Sequence, residues 1–185
     1  MEKIRTFIAH PVPQQWKEIL SAASAPLKLG LASRVAWVKP ENMHFTLKFL
    51  GDVPADRIQE IHTALQKIPF APFEITAGRS GFFPEQAKPR IIWLGLSRGA
   101  DELCRNGAAI DLKLAELNFE KNQKPCHAHL TLGRIKKQAK DDWSALAERI
   151  NQIKLPPAKV TSFTLYQSTL TPIGPIYSAI YKYGE

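Results

Sequence analysis

The sequence predicts an α+β fold: mixed, largely antiparallel sheets with helices packed outside, arranged as two pseudo-symmetric lobes about a cleft. Three observations carry that expectation. Runs with strand periodicity alternate irregularly with helical stretches and come in hairpin-like pairs, rather than in strict strand–helix alternation. The tetrapeptide His44-Phe45-Thr46-Leu47 returns almost unchanged as His129-Leu130-Thr131-Leu132. The surroundings return as well: Asp56, Ile58, Ile61 and Leu65 stand at the same offsets from His44 as Asp141, Trp143, Leu146 and Ile150 from His129. Each half then reads motif strand, helix, strand, turn, strand, for which duplication is the economical explanation. Residues 1–185 are expected to form a single bilobal domain.

In chain order, a first strand is expected over Ile4 to Ala9, broken by Pro11 and Pro13. A helix follows from Gln14 to Ala23, with Trp16, Ile19, Leu20 and Ala23 along one face. Arg34 to Val38 is a short strand, and Pro40-Glu41-Asn42 turns into the first motif strand, Met43 to Leu50, which Gly51-Asp52 ends. A helix spans Ala55 to Lys67, beginning near Pro54. Strands over Phe73 to Gly81 and Arg90 to Leu96 flank a loop with Phe82, Phe83 and Pro84. After a helix from Asp101 to Leu117 comes a polar connector, Asn118 to Pro125, and the second motif strand, His127 to Arg134. A basic loop, Ile135 to Lys140, leads to a helix over Asp141 to Ile153, and strands Ala158 to Ser168 and Ile176 to Tyr183 finish the chain.

The composition is that of a soluble protein, 44% hydrophobic and 23% charged. A formal charge of +8 favours an anionic partner, though charge alone is weak evidence. No membrane span or signal-peptide core is expected, which points to the cytoplasm. With only 2 cysteines, Cys104 and Cys126, no disulfide framework is expected, and Cys104 is read as a small core residue.

Side chains at i and i+2 of a strand share a face, so each motif projects an imidazole beside a hydroxyl while its apolar residues point inward. A single His-x-Thr pair is usually structural. Two matched pairs facing one cleft supply what in-line displacement at phosphorus requires: a base for the entering oxygen and an acid for the departing one. The threonine hydroxyls can donate to non-bridging oxygens, or serve only strand propensity. Strand parity also puts Lys48 on the face of His44 and Thr46, to meet phosphate or solvent. Parity turns Arg134 away unless Gly133 introduces a bulge, and spacing alone makes it a surface cation.

The segment from Trp37 to Gly51, containing His44-Phe45-Thr46-Leu47-Lys48-Phe49-Leu50-Gly51, resembles the first signature of the 2H phosphoesterase superfamily, and His129-Leu130-Thr131-Leu132-Gly133-Arg134 resembles the second. Within it the chain is most similar to the RNA 2′,3′-cyclic phosphodiesterases, also described as 2′-5′ RNA ligases. The resemblance extends to Phe7-Ile8-Ala9 and Tyr166-Gln167-Ser168-Thr169-Leu170-Thr171-Pro172. It implies two lobes about a central cleft and metal-independent hydrolysis of a terminal 2′,3′-cyclic phosphate to a 2′-phosphate, with no cofactor. It assigns His44 as proton donor to the leaving 3′-oxygen, His129 as proton acceptor from water, and Thr46, Thr131 and Arg134 as phosphate ligands. Joining of RNA ends through a 2′-5′ bond is the reverse chemistry, a 5′-hydroxyl replacing water. The expected partner is RNA with a cyclic phosphate end or a small cyclic nucleotide, bound by a monomer. Ala128 departs from the family, which usually has proline there.

Two other readings compete. His127 and His129 with His44 would give three imidazoles for a catalytic metal. A non-catalytic RNA or nucleotide binder would use the basic charge, with Phe82 and Phe83 stacking on bases or merely plugging a loop. The run Arg134-Ile135-Lys136-Lys137 with Lys140 either steers RNA or is a solvated loop. His10 and His62 are assigned to structural or solvated positions.

Overall fold

The two motif strands lie in different sheets, and each sheet is completed by a hairpin from the other half of the chain. The computed structural model describes residues 2–172 and 174–185; Met1 and Ile173 lie outside the described residues. In order the elements are β1 (Lys3–Pro11), α1 (Gln14–Lys28), β2 (Arg34–Trp37), β3 (His44–Pro54), α2 (Ile58–Leu65), β4 (Phe73–Phe83) and β5 (Ile91–Arg98). Then come α3 (Ala100–Ala115), β6 (His129–Lys137), α4 (Trp143–Asn151), β7 (Ala158–Val160), β8 (Ser162–Thr171) and β9 (Gly174–Gly184). One sheet has the strand order β3-β1-β8-β9 and the other β2-β6-β5-β4-β7, with antiparallel pairing throughout. The hairpin β4–β5, which follows the first motif, therefore builds the sheet of the second motif. The hairpin β8–β9 does the converse.

The sequence places most elements correctly and several boundaries wrongly, each for a local reason. The helix α1 continues through Pro26 to Lys28, because Leu27 on its inner face joins Trp16 and Leu20 in the core. The indole of Trp16 is satisfied there by donating to the Pro156 carbonyl at 2.7 Å. Strand β3 does not end at Gly51-Asp52: Leu50 is an extra residue in the pairing with β1, and Gly51, at φ +73°, lets the strand resume to Pro54. The expected strand Ala158 to Ser168 is cut after Val160, since β7 pairs with β4 in one sheet and β8 with β1 in the other. Ile135 to Lys137 extend β6 against β2 instead of starting a loop. Asp142, not Asp141, caps α4, accepting from the Ala145 amide at 3.0 Å. Asp141 instead accepts from the Ala32 and Ser33 amides at 2.7 and 2.8 Å, pinning the β2 approach to the start of α4.

The cysteines are a correction. Cys104 on α3 and Cys126 form a disulfide, 22 residues apart in sequence, and Cys104 is only half-buried. Their separation along the chain hid the pairing: α3 and the polar connector that follows it double back on each other. One contiguous apolar cluster draws on both halves, from Ile8 and Phe45 to Leu130 and Leu165. Among the described residues no helix is long and apolar enough to cross a membrane.

Candidate active site

Both motif strands present the predicted faces. In β3, Phe45 and Leu47 are buried while His44 and Thr46 are half-buried toward the cleft; in β6, Leu130 and Leu132 are buried and His129 and Thr131 half-buried. Each motif then carries a β-bulge at the same place. Leu47 is the extra residue between the pairs Ala9–Thr46 and Ile8–Lys48, and Leu132 between Trp93–Thr131 and Ile92–Gly133. A bulge inverts the alternation beyond it. In β6 it turns Arg134 onto the face of Thr131, as a bulge was expected to do. Gly133 is required at this point, since a Cβ would stand 2.8 Å from the Val35 side chain.

The two imidazoles are held by one device. The Nδ1 of His44 donates to the Asn42 carbonyl at 2.7 Å, and the Nδ1 of His129 to the His127 carbonyl, also at 2.7 Å. A carbonyl can only accept, so each ring carries its proton on Nδ1 and leaves Nε2 for proton exchange. Aromatic rings wall both: Phe7 and Tyr177 lie 4.9 and 5.3 Å from His44, and Phe83 and Trp93 lie 5.1 and 6.3 Å from His129.

That setting disfavours positive charge. Burial pushes His44 down to about 4, against the contrary pull of its Asn42 bond, and the charges of Arg134, His129 and Lys17 lower it further. Burial likewise lowers His129, opposed by its bond to His127 and reinforced by the charges of His127 and Arg134. Arg134 thus acts on both rings. In the free protein both imidazoles are neutral near neutrality.

The cleft has two chambers. One, of about 490 Å³, is lined by His44, Thr46, Thr131, Arg134, Trp37, Lys39, Lys136 and Tyr177 among others. The second, of about 590 Å³, is lined by His129, His127, Thr46, Phe49 and Lys124 among others. Thr46 lines both, so they meet between the two histidines. A profile of the family described as LigT like Phosphoesterase matches residues 11–93 and again 96–177, one match for each motif. The chain belongs to the LigT-like phosphoesterase family.

Relatives span nearly all of it. The chain is 36% identical over 184 residues to the RNA 2′,3′-cyclic phosphodiesterase of Thermotoga maritima, covering 97% of this chain and 94% of that one. It is 34% identical over 174 residues to the protein of the same name from Archaeoglobus fulgidus, covering 94% and 96%. Among solved structures, TT0787 of Thermus thermophilus superposes with a TM-score of 0.77 at 25% identity, over 98% of this chain and 97% of that one. Escherichia coli LigT, solved in a complex with 3′-AMP, superposes with a TM-score of 0.78 at 23% identity, over 99% and 98%, which shows the shared fold.

Among LigT-like residues expected at the cleft, the structure gathers His44, Thr46, His129, Thr131 and Arg134, with Phe83 against His127 and His129. It withdraws others. Lys48 borders the second chamber but is only 3% exposed and lies beyond the Leu47 bulge, off the His44 face. Its ammonium bonds Asp111 at 2.5 Å and the Glu120 carbonyl at 2.6 Å, leaving it to brace α3 and the connector. Phe82 is core, 7% exposed, with its ring 5.8 Å from Trp143. His44, His127 and His129 form no three-ligand group: among the described residues no such cluster of His, Cys, Asp or Glu occurs. His10 is fully buried, bonded to the Ser162 carbonyl and the Asn106 amide, and His62 stacks on Tyr181, as their bland assignments expected. Sequence reasoning missed Trp37 and Tyr177 on one wall and Phe49 on the other, and the Trp93 ring behind His127 and His129. The parity of Phe49 was readable only with the bulge in hand.

Proposed function

We propose that this protein opens the terminal 2′,3′-cyclic phosphate of RNA with water, leaving a 2′-phosphomonoester, by metal-independent acid/base catalysis within a single bilobal domain. The relatives named RNA 2′,3′-cyclic phosphodiesterase support the reaction. The observation that carries the mechanism is the matched anchoring of the two imidazoles, each with its Nδ1 on a carbonyl and its Nε2 free, in two chambers that share Thr46.

The phosphate sits where the chambers meet, held by the Thr46 and Thr131 hydroxyls and the Arg134 guanidinium, whose donors stabilise charge growing on the non-bridging oxygens. His44 lines the first chamber and gives the Nε2 proton to the departing O3′. His129, across the phosphorus, takes a proton from the entering water at its own Nε2. Neither ring is charged in the free site. The anionic phosphate supplies the missing attraction and raises His44, so that substrate binding itself arms the acid. The protein works as a monomer in the cytoplasm in this reading, on RNA ends or small cyclic nucleotides.

Product analysis tests the assignment. An oligonucleotide ending in a 2′,3′-cyclic phosphate should yield only a 2′-phosphate, at the same rate in EDTA as without it. Formation of a 3′-phosphate would place the acid on the wrong oxygen. Loss of activity in EDTA with recovery on adding zinc would replace the two-histidine mechanism with a metal one.

A further inference from the structure

We infer that the Cys104–Cys126 bond is a site of thiol–disulfide exchange that governs how His129 is held: oxidation arms the base and reduction slackens it. This rests on the reading above, in which His129 takes the proton of the entering water. Both cysteines stand in the wall of the second chamber with His127 and His129. Cys126 directly precedes His127, whose carbonyl accepts from the His129 Nδ1 at 2.7 Å. A ring that keeps this bond presents an unprotonated Nε2. A ring that loses it is free to carry its proton on Nε2, where it cannot act as a base. Placement of the His127 carbonyl thus decides whether His129 is competent.

The stretch that carries this carbonyl is otherwise lightly held. Upstream, the Glu120 carbonyl accepts from Lys48 at 2.6 Å and the Asn122 amide donates to Asp111 on α3 at 3.1 Å. Downstream, β6 joins its sheet from His129, opposite Gly95. Between these anchors, among the described residues, the only hydrogen bond of residues 123–128 is the one His129 makes to the His127 carbonyl. The His127 ring rests edge-on against Phe83 and Trp93, at 5.0 and 4.6 Å, and is itself exposed. The sulfur bridge is therefore what fixes the stretch to α3. Cys126 is exposed and Cys104 half-buried, so a reductant meets the Cys126 sulfur first. One thiolate of a dithiol reductant bonds to that sulfur, the bridge breaks, and Cys104 leaves with the electron pair and takes a proton. The second thiolate of the reductant displaces Cys126, which is protonated in turn, and the reductant ends as a disulfide. Two electrons pass to the protein, and a disulfide oxidant reverses the sequence. In a reducing compartment a lone disulfide more often senses redox state than staples a fold.

The test measures turnover of 2′,3′-cyclic AMP by the oxidised protein, by protein reduced with dithiothreitol, and after reoxidation with oxidised glutathione, with circular dichroism following the fold. Reduction should lower kcat about tenfold or more, and reoxidation should restore it. KM should stay within about twofold, because Thr46, Thr131 and Arg134 remain on paired strands. The residual activity of His44→Ala should fall by the same factor as the parent. That of His129→Ala, which has no ring to misplace, should not respond. Cys104→Ser with Cys126→Ser should match the reduced form and ignore both reagents. Equal kcat in the two redox states, an equal fall in His129→Ala, or loss of the folded spectrum on reduction would overturn the switch while leaving hydrolysis intact. Absence of hydrolysis by the oxidised protein would instead sink the hydrolytic reading, and this one with it.

Discussion

Each motif imidazole is positioned by a carbonyl two residues upstream in its own chain, so the motif carries its own orientation. Fixing Nδ1–H costs nothing remote, and it leaves the pKa to burial and to Arg134. The consequence is a testable pH profile. With His44 near 4 and His129 also lowered in the free protein, kcat/KM should trace a bell centred below pH 6.5. The alkaline limb of kcat should lie at higher pH, because the bound phosphate favours the imidazolium. Coincident limbs for kcat and kcat/KM would deny that arming step. His44→Ala and His129→Ala should each lose about 10²- to 10⁴-fold in turnover while still binding a 2′-phosphate end. Lys48 makes a contrasting case at the same scale. Its loss is structural, and Lys48→Met should destabilise the fold by about 3 kcal/mol in urea unfolding, because it strands Asp111 near the core. Lys48→Met with Asp111→Leu should recover most of that loss.

At the scale of elements, the paired bulges decide what each motif strand presents. Faces up to the threonine were legible in the sequence, because alternation holds for His44 to Leu47 and for His129 to Leu132. Beyond those leucines parity fails in both halves. It misassigned Lys48, hid Phe49, and made Arg134 look like a surface charge until the family resemblance raised it. A bulge leaves no signature in hydrophobic pattern, so this loss was built in. The disulfide was illegible for another reason: nothing in the spacing of Cys104 and Cys126 says that the connector folds back onto α3. That bond closes a loop of 22 residues next to the strand that delivers His129. Replacing both cysteines with serine, or reducing the bond, should lower unfolding free energy by about 3 kcal/mol. Equal denaturation midpoints for oxidised and reduced protein would show that the tether restrains nothing.

Across the whole molecule, exchange of hairpins between halves ties each motif strand to elements of the other half. Each sheet holds one motif strand and a hairpin from the other half, so neither motif can shift without disturbing both. The buried His10 sits at this junction, its Nδ1 donating to the Ser162 carbonyl where β8 begins, and burial holds it near 4 instead of 6.5. Between those values the unfolded chain binds more protons than the folded one. The contribution of this group to stability should therefore fall by about 3 kcal/mol as pH drops from 6.5 toward 4, and change no further below. His10→Asn, which keeps a donor toward Ser162, should remove this share of the slope and leave the part owed to His44 and His129. The central claim is that the two imidazoles flank one phosphorus, and a crystal structure with a nucleoside vanadate tests it most directly. The account predicts Nε2 of His44 and Nε2 of His129 each within about 3 Å of opposite apical oxygens. Both rings on one side of the vanadium, or either ring without an apical contact, would contradict it.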